Sequence, residues 1–418
     1  MRTDVPVVVL KLRPYPLHAG TIGMARSLGR LGVAVHIVGE ATTSPIIRSR
    51  YVKSVVRLPD VAAAELAHWL VGAAPADRAL LVAVDDQAAV FLQQQASVLS
   101  RAYDYPHLPE GLVRQLVDKG YLTALARQAQ VPSPDHAAPA TAQELDDFLR
   151  NTAFPVVVKM RDPDRFQQTQ GVQGVEIAED AQQTRSLWRR HLVDGKPNCI
   201  LQEYIPGGPE TIWMINGYVD GESRLQFAAT GRKLRQFPPY TGATSLGVCQ
   251  RNDEVLDLTA RLVRSIGYRG ILDIGWRFDA RDGLYKLLDF NPRIGATFRL
   301  FVGQGGLDVV RACYLDLTGQ DAAGDTVRDG RKWINDSYDA YSAVKYVSDG
   351  KQSGSQLLRS FSGIEEAAWW ARDDVRPVVA MLRTASRMAL TAGKKRARVI
   401  RAGASAARQQ EVVRAQAG

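Results

Sequence analysis

The chain is poor in sulfur and in histidine. Its 418 residues include three cysteines and six histidines, and the cysteines (Cys199, Cys249 and Cys313) form no CxxC pair. A disulfide framework and a clustered Cys/His metal centre are therefore not expected, and a reducing, cytoplasmic compartment fits best. There is no HExxH motif, no Ser/His/Asp arrangement and no internal repeat. No stretch approaches the ~20 apolar residues of a transmembrane helix. Arg2, Asp4, Lys11 and Arg13 place charge among the first residues, so no signal-peptide core is expected.

Charge is unevenly placed. The formal net charge is +9, from 53 Lys+Arg and 44 Asp+Glu. Residues 376–418 hold ten of the bases and a single acid, Glu411, so residues 1–375 are neutral. A globally basic nucleic-acid binder is excluded, and no nucleic-acid partner is expected. In the tail, Val378, Met381, Leu382, Ala385, Met388 and Ala389 follow helical spacing, with Arg383 and Arg387 on other faces and Lys394-Lys395-Arg396 beyond. That pattern predicts a basic amphipathic helix touching an anionic membrane surface or a protein partner, with a solvated tail as the alternative. The rest, at 45% hydrophobic and 23% charged overall, is ordinary globular composition.

The first part alternates strands and helices. Val5–Leu10, Val33–Val38, Val52–Leu58 and Ala79–Val84 are short apolar runs of buried parallel-strand type. Thr21–Leu31, Ala62–Val71 and Gln87–Ala102 have helical spacing, which predicts an open parallel α/β domain over residues 1–111. Asp85-Asp86 and His18 lie in strand-to-helix loops, where ligand crevices of such sheets open. Tyr103–Glu110 reads as a boundary, and Leu112–Gln130 as one helix. Beyond it the pattern changes to strands with Gly-rich turns, among them Val156–Lys159, Ile200–Tyr204, Leu225–Thr230, Ile271–Phe278 and Tyr285–Phe290. This predicts an α+β domain over 112–325, an extension over 326–375 and the tail over 376–418.

The chemistry-bearing residues stand in order along that second domain. Asp289, Asn291 and Arg293 alternate, so in a strand they share one face. A carboxylate and an amide oxygen suit Mg²⁺, and a guanidinium suits a planar anion. Lys119 opens a helix, and Lys159 closes an apolar strand, where burying an ammonium calls for an anion such as phosphate. Gly171 and Gly174 lie in a loop whose N–H groups suit phosphates. Glu203, with the Tyr204–Ile205 backbone, suits an adenine edge, and Glu210 suits a ribose hydroxyl. For each of these acids an exposed turn residue is the competing reading. Trp188, Trp213, Trp276 and Trp333 read as packing residues.

This ordered set resembles the ATP-grasp superfamily, nearest to its carboxylate–amine ligases of the D-aspartate-ligase and carbamoyl-phosphate-synthase-like branch. The resemblance covers roughly residues 1–320 and implies a pre-ATP-grasp α/β domain followed by two subdomains clasping ATP. It implies that Lys119, Lys159, Gly171 and Gly174 bind the ATP phosphates, that Glu203, Tyr204 and Ile205 bind adenine, and that Glu210 binds ribose. Asp289 and Asn291 would hold Mg²⁺, with Mn²⁺ as the alternative cation. Arg293 would orient a carboxylate substrate, and Lys233 and Arg235 would face the γ-phosphate. Gly275 stands where the family's earlier metal-binding acid is expected, and Asp273, on the same strand face, is expected to take its part. The implied activity is ATP-dependent ligation of a small-molecule carboxylate to an amine, an amino acid or peptide-like compound, through an acyl phosphate. The alternatives are a catalytically decayed nucleotide-binding module and a biotin-carboxylase-like component.

Overall fold

A computed structural model describes residues 2–13, 15–41, 43–161, 174–322 and 324–386. The first sheet has five strands, all parallel, in the order Val52–Val56, Val35–Val38, Val7–Leu10, Ala79–Ala83, Tyr103–Asp104. Val7–Leu10 is central and wholly buried, as its continuous apolar run requires. Tyr103–Asp104 corrects the boundary reading: this pair closes the sheet edge, and the Tyr103 ring is buried with its hydroxyl bonded to the Leu70 carbonyl. The strand order reverses between Val7–Leu10 and Ala79–Ala83, so the loops carrying His18 and Asp85-Asp86 border a crevice there.

The expected helix over 112–130 is two helices, Leu112–Val117 and Lys119–Gln128. Asp118 separates them with extended backbone, and its carboxylate accepts from the Gly120 N–H at 2.9 Å. An aspartate satisfies exposed helix N–H groups better at an N-cap than it serves a helix interior. Lys119 thereby becomes the first residue of a helix.

A four-stranded antiparallel sheet follows, in the order His136–Ala137, Cys199–Glu203, Val156–Met160, Val175–Ala178. Opposite it stands a seven-stranded sheet: Leu284–Asn291, Gly270–Asp279, Ile212–Val219, Leu225–Phe237, Ala243–Cys249, Lys332–Ile334, Ile364–Ala367. Helices Asp253–Ser265 and Val309–Leu317 pack on its two faces through separate cores. Trp188, Trp213, Trp276 and Trp333 are all buried in these cores.

The last two strands come from beyond residue 325 and are tied back by buried ion pairs. Arg26 bonds Asp374 at 3.0 Å, both nearly inaccessible, and Arg299 bonds Asp308 and Glu366. Residues 376–386 are helical, and Met381 is buried in the core under the first sheet, with Val378 and Ala385 against it. This corrects the expectation of a free amphipathic face: that stretch is occupied by the body, and Leu382 is more than half exposed. The remaining tail positions, Met388, Ala389 and Lys394-Lys395-Arg396 included, lie outside the described residues. Among the described residues no helix is long and apolar enough to cross a membrane.

Candidate active site

The two facing sheets enclose a cleft of about 1210 Å³. Its wall holds Lys119, Lys159, Gly174, Glu203, Tyr204, Ile205, Glu210, Lys233 and Asp289. Residues from six separate stretches of sequence therefore meet in one space. Gly171 lies outside the described residues.

At the outer end, Cys199–Glu203 pairs with Val156–Met160 so that Glu203 opposes Val156. The Glu203 carboxylate is held by the Arg281 guanidinium, with Lys286 at 3.6 Å. Glu210 sits in the following turn and accepts the Gly208 N–H at 3.2 Å. Arg277, which sequence reasoning passed over, stacks over the Tyr204 ring and donates to the Gly207 carbonyl at 2.6 Å. Strand alternation could have found it, because Asp273, Gly275 and Arg277 share one face.

At the inner end the ammonium groups cluster around one acid. Burial, and then Lys119, pull the Lys159 ammonium down to about 8. Burial likewise lowers Lys233, against the attraction of Asp289 and Asp273. Burial alone would raise Asp289, but Lys119, Lys233, Lys159 and Arg293 outweigh it and hold its carboxyl below the usual range. Lys233 donates to the Gly242 carbonyl at 3.2 Å.

Arg235 is not part of this cluster, a correction to its expected place at the γ-phosphate. A bulge between Lys233 and Arg235 breaks the two-residue alternation. Arg235 is thereby fully buried against Asp339, through Nη2–Oδ2 at 2.6 Å and Nε–Oδ1 at 3.1 Å, with its guanidinium over Phe361.

The candidate cation ligands lie on adjacent antiparallel strands. Asp273 opposes Asn291, and Gly275 opposes Asp289. A Cβ at Gly275 would overlap the Asp289 carboxylate, so the glycine leaves room for that side chain. Burial pushes Asp273 up to about 6, with Asp289 adding to the shift and Arg293 and Lys233 opposing it. Asn216 donates to Asp273 Oδ1 at 3.1 Å, while its own buried Oδ1 has no partner among the described residues. Among the described residues there is no cluster of three His, Cys, Asp or Glu side chains with metal-binding geometry. Two carboxylates and an amide, oxygen donors only, fit a hard cation such as Mg²⁺ that keeps several waters.

Arg293 follows the strand end, just beyond Asn291. Its Nε donates to Asp86 Oδ1 at 2.9 Å, its Nη2 to Asn291 Oδ1 at 3.2 Å, and its Nη1 lies 3.8 Å from Asp273. Asp86 opens the helix that follows strand Ala79–Ala83, so this guanidinium ties the crevice of the parallel sheet to the candidate cation ligands. His18 is nearby; burial, then Arg293 and Lys11, lower its imidazole to about 3, and its Nδ1 accepts the Thr21 N–H. All three cysteines are buried, and burial raises each thiol, Cys199 to about 12.

No protein-family model matches the chain. It is 24% identical over 240 residues to a D-aspartate ligase of Enterococcus faecium (strain Aus0004), a match spanning 56% of this chain and 57% of that protein. An L-amino acid ligase from Bacillus licheniformis superposes with a TM-score of 0.59 at 15% identity, over 79% of each chain. An N5-carboxyaminoimidazole synthetase from Staphylococcus aureus complexed with ADP superposes with a TM-score of 0.61 at 12% identity, over 78% of this chain and 81% of that one. The likeness to these two solved structures shows that the chain has their fold, and the chain spans little more than half the length of the D-aspartate ligase it matches.

Proposed function

We propose that this chain is an ATP-dependent carboxylate–amine ligase. The observation that carries the reading is the convergence of Lys119, Lys159 and Lys233 on Asp289 at one end of the cleft, beside Arg293. Three ammonium groups around one acid suit the dense negative charge of a triphosphate. The names of the similar proteins, two of them amino-acid ligases, support the same reading.

Glu203 and the Tyr204–Ile205 backbone bind adenine and Glu210 the ribose, which directs the phosphates toward Lys119, Lys159, Gly174 and Lys233. Asp273, Asp289 and Asn291 would hold Mg²⁺, or Mn²⁺ in its place, which when bound neutralises charge on the phosphate oxygens. Arg293 orients the substrate carboxylate. A carboxylate oxygen attacks the γ-phosphorus, the bond to the β-phosphate oxygen breaks, and ADP leaves. The amine nitrogen then forms the C–N bond as the acyl carbon–oxygen bond to phosphate breaks. The nitrogen's proton leaves with phosphate or to solvent. The work of the protein is positioning and charge neutralisation, with no protein nucleophile. The room that Gly275 leaves for the Asp289 carboxylate supports an active site over a decayed module.

The test is ATP-dependent hydroxamate formation and ADP release by the purified chain with a panel of amino acids, D-aspartate among them. Stimulation by at least one carboxylate, lost in Asp289→Ala, is expected. No stimulation by any of them rejects the reading.

A further inference from the structure

A second cleft, of about 1250 Å³, opens on the first-domain side of Lys119 and reaches the strand end at Phe290 and Asn291. It shares Arg13 and Lys119 with the nucleotide cleft, so the two spaces meet at those side chains. Its charged lining residues are mainly basic: Arg13, Arg114, Lys119, Arg161 and Lys196. Two carboxylates line it, Asp86 and Asp118. Asp118 is fully engaged: Oδ1 accepts from the Gly120 N–H and Oδ2 from Arg161 Nε at 3.0 Å. Asp86 uses only Oδ1, toward Arg293, and its side chain is 30% exposed. Its Oδ2 makes no hydrogen bond among the described residues.

We propose that Asp86 is the amine-binding residue of the second substrate. The argument rests on the ligase reading and adds to it where the nucleophile sits. An amine arrives at neutral pH as an ammonium ion, and once bound it gives up one proton to solvent before its lone pair attacks the acyl carbon. Among the charged groups of this cleft only a carboxylate attracts it, and a carboxylate with a free oxygen can bind it. Asp86 is that group, and its other oxygen is bonded to the guanidinium that holds the carboxylate being activated. One side chain of the first domain thus sets the two reacting groups next to each other. The helix Asp86–Gln94, capped by Asp85 through the Ala88 N–H at 2.8 Å, fixes its position.

The test uses the full chain, ATP, the carboxylate most active in the hydroxamate assay, and two small nucleophiles. Hydroxylamine is uncharged at neutral pH and methylamine is a cation. The readout is the ratio of methylamide to hydroxamate, because Asp86→Asn also loosens Arg293 and lowers both products together. Asp86→Asn is expected to lower the ratio about tenfold, the size of one charge-assisted contact, and Asp86→Glu to restore it. Arg293→Lys should lower both products at an unchanged ratio. An unchanged ratio in Asp86→Asn, or a wild type that makes hydroxamate but no methylamide, overturns the proposal. A wild type that makes neither with any carboxylate fails the ligase reading itself.

Discussion

Gly275 and Asp289 face each other across two antiparallel strands, and the missing side chain of one is the space occupied by the carboxylate of the other. The glycine therefore belongs to the site. Gly275→Ala should displace Asp289 from the ammonium cluster and weaken cation binding by tenfold or more, on the order of losing an outer-shell partner. Mn²⁺ titration followed by electron paramagnetic resonance measures this without reference to turnover. Gly275→Glu, which puts back the acid expected from the resemblance, should do worse still. A Gly275→Ala protein that binds Mn²⁺ like wild type would show that Asp289 does not need this space.

Lys159 gives the site a pH signature. Burial and Lys119 bring its ammonium down to about 8 in the nucleotide-free protein. Below that pH it is charged and attracts phosphate; above it the charge is lost. Because kcat/KM reports the free enzyme, kcat/KM for ATP should fall as pH rises through about 8. Lys159→Arg keeps its charge and should abolish that limb. A flat wild-type profile up to pH 9.5, on the order of one and a half units past the inflexion, counts against it.

Glu203 tests the adenine end. Its carboxylate is fixed by Arg281 and Lys286 at the cleft wall, remote in role from the phosphates. Removing it should weaken ground state and transition state alike. Glu203→Ala is expected to raise KM for ATP about tenfold, as for one charge-assisted hydrogen bond, with kcat nearly unchanged. A fall in kcat at constant KM would place Glu203 in the chemistry instead.

Much of the site could be read from sequence because strands impose a period of two. Asp289, Asn291 and Arg293 share a face by alternation, whereas Asp273 is reached through the resemblance, from its place on the face of Gly275. Lys159 is read from the apolar run that it ends. The misses have a common physical cause, since each depends on a feature outside the local period. The bulge between Lys233 and Arg235 turns a side chain expected at the γ-phosphate into the core. The cap at Asp118 splits a helix whose apolar spacing runs on unbroken. Asp86 meets Arg293 only through the tertiary fold, 207 residues apart in sequence. The cost of a Cβ at Gly275 depends on an opposing strand. In the tail, helical spacing correctly marked Met381 as apolar but could not say that the first domain covers it.

Arg235 allows the correction itself to be tested. Its guanidinium and the Asp339 carboxylate are both almost inaccessible to solvent, and Ser245 and Ser360 complete their hydrogen bonds. A buried pair of this kind contributes little net stability over apolar residues, but breaking it strands a charge. Arg235→Ala leaves Asp339 unpaired and should cost about 3–5 kcal/mol of folding stability. Denaturant unfolding measures that loss directly. Arg235→Met with Asp339→Leu removes both charges and should recover most of it. In the double variant KM for ATP should stay within about threefold of wild type, well inside one kcal/mol. A catalytic Arg235 would give the reverse pattern, with stability unchanged in the single variant and ADP release abolished in the double.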